Sequence, residues 1–169
     1  YDGERLRNVP FYLAYVGPLK RTRRPRELKL DFTADEMIVS KPDARSLLRV
    51  YSDEITPPLQ ILSYPIEEIL GEKMRTILQR TEPRDLYDVW RLLRDHAEEM
   101  NLTSVKSVFE DKCRFKNIAA SGWEEFLAEQ KIEKYGAAWE RRLGDQIQDL
   151  PPLKTVVKET KRLLRAYFE

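Results

Sequence analysis

The hydrophobic residues of this 169-residue chain change their spacing at Pro65. Before it, Leu28, Leu30 and Phe32 alternate with polar residues, as they do on a β-strand with one apolar face. After it, apolar residues recur every three or four positions, which is the pattern of an amphipathic α-helix. The change predicts an α+β fold, with a strand-bearing domain in residues 1–64 and a helical domain in residues 65–169.

The first third of the chain is predicted to contain a hairpin. The runs FYLAYV (11–16) and LKLDFT (28–33) are rich in aromatic and apolar residues, and the basic segment LKRTRRPRE joins them. Such a hairpin is expected at the edge of a small sheet. Further short strands are predicted near Leu47–Tyr51 and Leu59–Leu62.

The helical domain carries several signals for helix starts. Pro83 stands where a first helical turn tolerates proline, Thr103 is placed to cap a third helix, and Ser121 with Glu124 fits a capping box. A last helix is predicted after a Pro-Pro pair. The apolar stripes of the first two helices comprise Ile66, Ile69, Leu70, Met74, Ile77 and Leu78, and then Leu86, Val89, Trp90 and Leu93.

Composition excludes several classes of function. Basic and acidic residues number 30 and 29, so the net charge of +1 does not by itself indicate a nucleic-acid partner. The single Cys113 permits no internal disulfide and no cysteine-rich zinc site, which favours a cytoplasmic location. His96 is the only histidine, which argues against sites built on several histidines. No apolar run approaches the ~20 residues of a transmembrane helix.

One lysine occupies an unusual position in the first predicted helix. At 100° per residue, Lys73 falls inside the apolar stripe rather than on the solvent face, which is predicted to consist of Glu68, Glu72, Arg75 and Gln79. An unpaired ammonium on an inward face is costly, so Lys73 must reach water, a carboxylate or an anionic ligand. Asp85 and Asp88 share one face of the next helix and are the expected partners.

Two interpretations of this group remain open from spacing alone. In the first, Lys73 and Asp88 form an ion pair that fixes the crossing of two helices, and Asp85 only complements the helix dipole. In the second, the lysine and the neighbouring Arg80 contact the phosphates of a ligand.

Asp31 adds a carboxylate in the middle of the alternating strand, opposite in face to Leu30 and Phe32. An exposed sheet face accepts such a residue without functional consequence. A carboxylate flanked by apolar residues on a strand is also a typical ligand for Mg²⁺, which prefers oxygen ligands.

Two segments of the sequence resemble the nucleotidyltransferase family of AbiEii and AbiGii toxins. They are LKLDFT and, some forty residues later, PIEEILGEKMRTILQRTEPRDLYDVWRLL, and the FYLAYVGPL strand extends the likeness. Members are toxins of toxin–antitoxin and phage-defence systems. The resemblance implies part of a polymerase-β-like nucleotidyltransferase sheet followed by a helical bundle. It also implies transfer of a nucleotide from an NTP, with Mg²⁺, to an RNA acceptor such as the 3′ end of tRNA, and a cognate antitoxin.

The resemblance also implies roles for individual residues. Asp31 matches the strand carboxylate that completes the metal site. Lys73 matches the residue that contacts the nucleotide phosphates, with Arg80 near it. Asp88 matches the acidic residue of the last motif, supported by Arg84 and Asp85.

The sequence departs from the family in its first motif. That motif is a Gly-Ser pair followed by an Asp-x-Asp or Asp-x-Glu strand, whose two carboxylates share one face and hold two metal ions. No Gly-Ser pair occurs in this sequence. We therefore expect the chain by itself to be inactive, with the motif either preceding Tyr1 or lost from the gene.

Other features support either function or packing. The basic segment from Lys20 to Arg26 could contact RNA phosphates, although most charged hairpin loops are simply solvated. Trp90, Trp123 and Trp139 lie at helical apolar spacing and are predicted to pack in the core. The alternative to a transferase is a non-catalytic helical module that binds a partner protein or RNA, with Lys73 and Asp88 as a structural pair.

Overall fold

A computed structural model of the protein describes residues 8–17, 25–48, 57–120 and 122–168. The chain divides into two compact units, Tyr1–Met37 and Ile38–Glu169. The described residues form two small antiparallel sheets and five α-helices, which confirms the predicted α+β class.

The first unit contains one hairpin. β1 (Asn8–Tyr15) pairs antiparallel with β2 (Arg26–Thr33) over its full length, with Val9 opposite Phe32, Phe11 opposite Leu30 and Leu13 opposite Leu28. Because directly opposed residues share a face, these six hydrophobic side chains lie on one face of the hairpin. The predicted hairpin is therefore present. Five of these residues, Val9, Phe11, Leu13, Leu30 and Phe32, line an apolar concavity of about 530 Å³.

The second unit begins with another hairpin, formed by β3 (Asp43–Ser46) and β4 (Gln60–Ser63). β4 lies where a strand was predicted near Leu59–Leu62. β3 ends at Ser46, one residue before the strand predicted near Leu47–Tyr51, and residues 49–51 of that prediction lie outside the described residues. This hairpin and the helices belong to one compact unit, Ile38–Glu169. The division into functional domains between residues 64 and 65 stays a prediction.

The helices follow in the predicted order: α1 (Ile66–Gln79), α2 (Pro83–His96), α3 (Leu102–Phe115), α4 (Glu129–Leu143) and α5 (Leu153–Phe168). Short 3₁₀ helices occupy Ala97–Glu99 and Trp123–Leu127. Pro83 is the first residue of α2, as predicted. The cap of α3 is Asn101, whose side chain accepts a hydrogen bond from the Ser104 N–H, so the prediction of Thr103 as cap was wrong. Ser121 lies outside the described residues.

The core of the second unit lies among the five helices. Its fully buried side chains include Leu70, Ile77, Leu86, Val89, Leu93, Val105, Phe126, Tyr135, Val156 and Leu164. The backbones of α1 and α3 approach closely at Gly71, where an added Cβ would lie 2.6 Å from Val108 Cγ1. Trp90, Trp123 and Trp139 are buried, which confirms their predicted place in the core. None of the described helices has the length and hydropathy to cross a membrane.

Candidate functional site

Lys73 lies between the two aspartates that the sequence suggested as its partners. Its Nζ is 2.6 Å from Asp88 Oδ2 and 3.6 Å from Asp85 Oδ1. The side chain is 28% exposed, because it lies at the margin of the α1 stripe beside the fully buried Leu70 and Ile77. The predicted contact between Lys73 and Asp88 is thus present.

Asp85 is the buried centre of this group. Its side chain has no solvent exposure, whereas that of Asp88 is 37% exposed. Arg80 donates to both oxygens of Asp85, from Nε at 2.9 Å and from Nη2 at 3.2 Å. This bidentate hydrogen bond raises the pKa of the Arg80 guanidinium above its ordinary value, although partial burial opposes the shift. Asp85 therefore does more than complement the helix dipole.

The chain reaches this geometry through the short link between α1 and α2. Arg80 has extended backbone angles that end α1, and its N–H donates to the Thr76 carbonyl at 2.8 Å. Three residues later, Pro83 starts α2 at a position that needs no intrahelical N–H donor. The turn brings the last residues of α1 against the first turn of α2. Lys73, Arg80, Asp85 and Asp88 then form one charge-balanced group, which we call the ion-pair cluster.

Helix α4 supports the cluster with two residues that the sequence analysis did not identify. The Lys131 ammonium donates to the Ile77 carbonyl at 3.2 Å, so it satisfies one of the free carbonyls at the C-terminal end of α1. Burial raises the pKa of the Tyr135 hydroxyl, and the nearby negative charge of Asp85 raises it further. Their contacts join α4 to α1 and α2, and no spacing within α4 indicates them.

Arg84 does not join the cluster. It is exposed near the start of α2, and it lines a cavity of about 280 Å³ with Glu82, Arg142 and Gln146. The residues that the sequence grouped as nucleotide-binding are Lys73, Arg80, Arg84 and Asp85. The structure therefore brings three of them together and places Arg84 in a separate polar cavity.

Asp31 lies in the first unit, on the polar face of the hairpin. Its Oδ1 is 2.9 Å from Lys29 Nζ, and both side chains are about half exposed. The hydrogen bond that Lys29 donates to Asp31 raises the pKa of Lys29. In the described part of the chain, no group of three or more carboxylate, histidine or cysteine side chains is arranged to hold a metal ion. The described residues therefore do not fit a complete magnesium site, and Asp31 offers a single carboxylate.

A second buried polar group corrects the predicted solvent face of α1. Glu68 is only 1% exposed; it contacts Lys112 Nζ of α3 at 2.8 Å and accepts the backbone N–H groups of Val39 and Ser40. Arg75 is also buried, paired with Glu72 at 2.6 Å, and Glu72 lies 3.5 Å from Lys112. Glu68 and Arg75 are therefore buried instead of facing water, because Lys112 and Glu72 compensate their charges. Glu72 is partly exposed, and Gln79 is exposed as predicted.

The pKa values of this second group show how the ion pairs offset burial. Burial alone raises the pKa of Glu68, but the hydrogen bonds from Lys112, Ser40 and Val39 outweigh it and leave that pKa below its ordinary value. Burial acts in the same direction on Glu72, and its bonds with Arg75 and its attraction to Lys112 again lower the pKa. Both carboxylates are therefore charged at neutral pH.

Comparison with known protein families identifies the class of the chain as nucleotidyl transferases. The matching family model is that of the nucleotidyl transferase AbiEii toxin of type IV toxin–antitoxin systems, and it covers residues 4–166. The chain therefore belongs to the AbiEii toxin family, as its resemblance predicted. No curated protein and no solved structure matched the chain.

Proposed function

We propose that this protein acts as a toxin that transfers a nucleotide from an NTP to an RNA acceptor, the 3′ end of a tRNA, in the cytoplasm. The family match over residues 4–166 carries the proposal. A toxin of a toxin–antitoxin system also has a cognate antitoxin as its partner, which would hold the activity in check.

The exposed half of the ion-pair cluster is the part suited to a nucleotide. Lys73 and Asp88 are both reachable from solvent, whereas Asp85 is completely buried and held by two bonds from Arg80. An incoming triphosphate would compete with Asp88 for the Lys73 ammonium, because phosphate oxygens accept strong charge-assisted hydrogen bonds. Asp85 and Arg80 would then keep the end of α1 in place. In this proposal Lys73 and Asp88 are catalytic, and Arg80 and Asp85 position them.

Nucleotidyl transfer of this class is supported by Mg²⁺, which neutralises the phosphates and orients the reacting oxygens. Asp31 would supply one carboxylate to that ion. The described residues do not by themselves form a complete site for that ion.

The closed charge balance of the cluster favours a second candidate function. The two cations, Lys73 and Arg80, already form ion pairs with the two carboxylates, Asp85 and Asp88. Such a neutral group is what a cluster that only holds α1 against α2 would need. Under this alternative the helices form a non-catalytic module that binds a partner protein or RNA.

The substitutions Lys73→Ala and Asp31→Ala distinguish the transferase from the non-catalytic module. Both are assayed in the complete reading frame that encodes this chain. The assay measures transfer from labelled NTPs to total RNA, and thermal unfolding is followed in parallel. A transferase is expected to lose at least about a hundredfold in rate with either substitution, since each removes stabilisation of phosphate charge or metal. Lys158→Ala, an exposed lysine of α5, is the matched control and should leave the rate unchanged. Full transfer by the Asp31 variant would overturn the proposal, and a stability loss confined to Lys73→Ala would favour the structural module.

A further inference from the structure

The cavity beside the ion-pair cluster is lined by two arginines that have no partner among the described residues. Arg84, the second residue of α2, and Arg142, the penultimate residue of α4, line it together. Within the described residues, neither guanidinium makes a hydrogen bond or an ion pair, although both α2 and α4 contain acidic residues. Arg142 can complement the dipole at the end of its helix. The dipole does not account for the presence of Arg84 in the same cavity, since two positive charges repel each other.

Two guanidinium groups that line one cavity are suited to an anion with oxygen atoms on several sides. Each arginine presents a planar fork of N–H donors that matches phosphate geometry. Gln146 adds an amide donor to the lining of the cavity, and Glu82 adds one negative charge. The formal charge of the lining is therefore +1, from two arginines and one glutamate. This balance matches a phosphodiester, which carries one negative charge, better than a triphosphate, which carries several.

The position of the cavity relates it to the proposed transferase site. Arg84 and Asp88 are four residues apart on α2 and so lie on one face, separated by about one helical turn of ~5.4 Å. A nucleic-acid strand ending beside Lys73 would therefore run past Arg84 and Arg142. We propose that Arg84 and Arg142 bind a backbone phosphodiester of the acceptor RNA, which makes Arg142 a positioning residue for the acceptor. This inference rests on the proposed function for the identity of its ligand.

Equilibrium binding of labelled bulk tRNA to the full chain, measured at several salt concentrations, tests the inference. Arg142→Gln should weaken binding about tenfold, because it removes a charge-assisted contact, and should reduce the dependence of affinity on salt by about one phosphate. Arg84→Gln should act in the same direction. Arg141→Gln is the matched control: it removes the same charge from the neighbouring exposed position, which does not line the cavity. A fluorescent NTP analogue, titrated against the same variants, should bind equally to all of them.

Each outcome decides the inference. It is overturned if Arg141→Gln and Arg142→Gln weaken tRNA binding equally, if neither does, or if the wild-type chain does not bind tRNA. It is also overturned if Arg142→Gln weakens binding of the NTP analogue instead, which would assign the cavity to the triphosphate. Nucleotide transfer in the complete reading frame is scored separately. If Arg142→Gln selectively weakens tRNA binding but the wild type has no transferase activity, the RNA site in the cavity is supported and the proposed function is overturned. If the wild type transfers nucleotides but Arg142→Gln binds tRNA normally, the proposed function is supported and the RNA site is overturned.

Discussion

The two units of this protein use apolar residues with equal regularity and bury them very differently. Leu28 of the first hairpin is 52% exposed, whereas Leu70 of α1 has no exposure at all. A two-stranded hairpin is a single layer and cannot cover its own apolar face, while helices that pack on one another cover theirs. Hydrophobic periodicity thus indicates which residues share a face, but a second layer must be present for that face to become a core.

Charged residues show the same contrast. Asp31 of the hairpin pairs with Lys29 in solvent, and Asp85 of the helical unit pairs with Arg80 where water is excluded. The comparison between the units is therefore testable with matched substitutions.

The largest effect is expected from Asp85→Ala. The substitution leaves Arg80 and Lys73 without their buried acceptor, and breaking a buried pair costs about 3–5 kcal/mol. The free energy of unfolding, measured by urea denaturation, should fall by about that amount, whereas Asp31→Ala should leave it unchanged. A loss of less than about 1 kcal/mol for Asp85→Ala would mean that the cluster contributes little to folding.

A leucine pair compares apolar burial directly. Leu70→Ala should destabilise the protein by about 3 kcal/mol, because it removes packed atoms and leaves a cavity between helices. Leu28→Ala should cost less than about 1 kcal/mol, because its side chain is already half exposed. Comparable losses from both substitutions, in the same urea titration, would show that the face of the hairpin is covered in solution.

Glu68→Gln tests the second buried group within the helical unit. It keeps an acceptor oxygen for only one of the two N–H groups of Val39 and Ser40, and it removes the charge that compensates Lys112. We expect a loss of about 2 kcal/mol in the free energy of unfolding. Glu110→Gln, on the exposed face of α3, serves as control and should be neutral. A neutral Glu68→Gln would place that carboxylate in solvent, as the sequence had predicted.

The smallest expected effect depends on pH. Hydrogen bonds from Arg94, and to a smaller extent from Arg91, lower the pKa of Asp95 from 3.8 to about 2, although slight burial opposes the shift. A lowered pKa in the folded state stabilises the protein above pH 4, and this contribution is lost progressively as the pH falls towards 2. Because the pair is largely exposed, the difference in stability between wild type and Asp95→Asn should stay below about 1 kcal/mol. The difference should be largely lost at pH 2, where Asp95 is about half protonated, and absent at lower pH. A gap that is undiminished at pH 2 would exclude the ionisation of Asp95 as its cause.

Local chemistry was sufficient to predict several parts of the molecule. The change of period at Pro65, the alternation of LKLDFT and the proline at the start of α2 act within one element, and the first hairpin and the first two helices follow from them. The pairing of β3 with β4 was not predicted. The contact of Lys73 with Asp88 was also predictable, because a short connection forces α1 and α2 to be neighbours.

Tertiary packing decided the remainder. The charged face of α1 has the composition of a solvent face, and only the arrival of Lys112 from α3 makes its burial favourable. Tyr135, Lys131 and Arg142 reach the region of the cluster from α4, at sequence separations that no periodicity connects. The sequence by itself determined which helices and strands form and which side chains share a face. Only the packing of those helices determined which faces exclude water and which distant charges meet, because burial and ion pairing depend on what lies opposite.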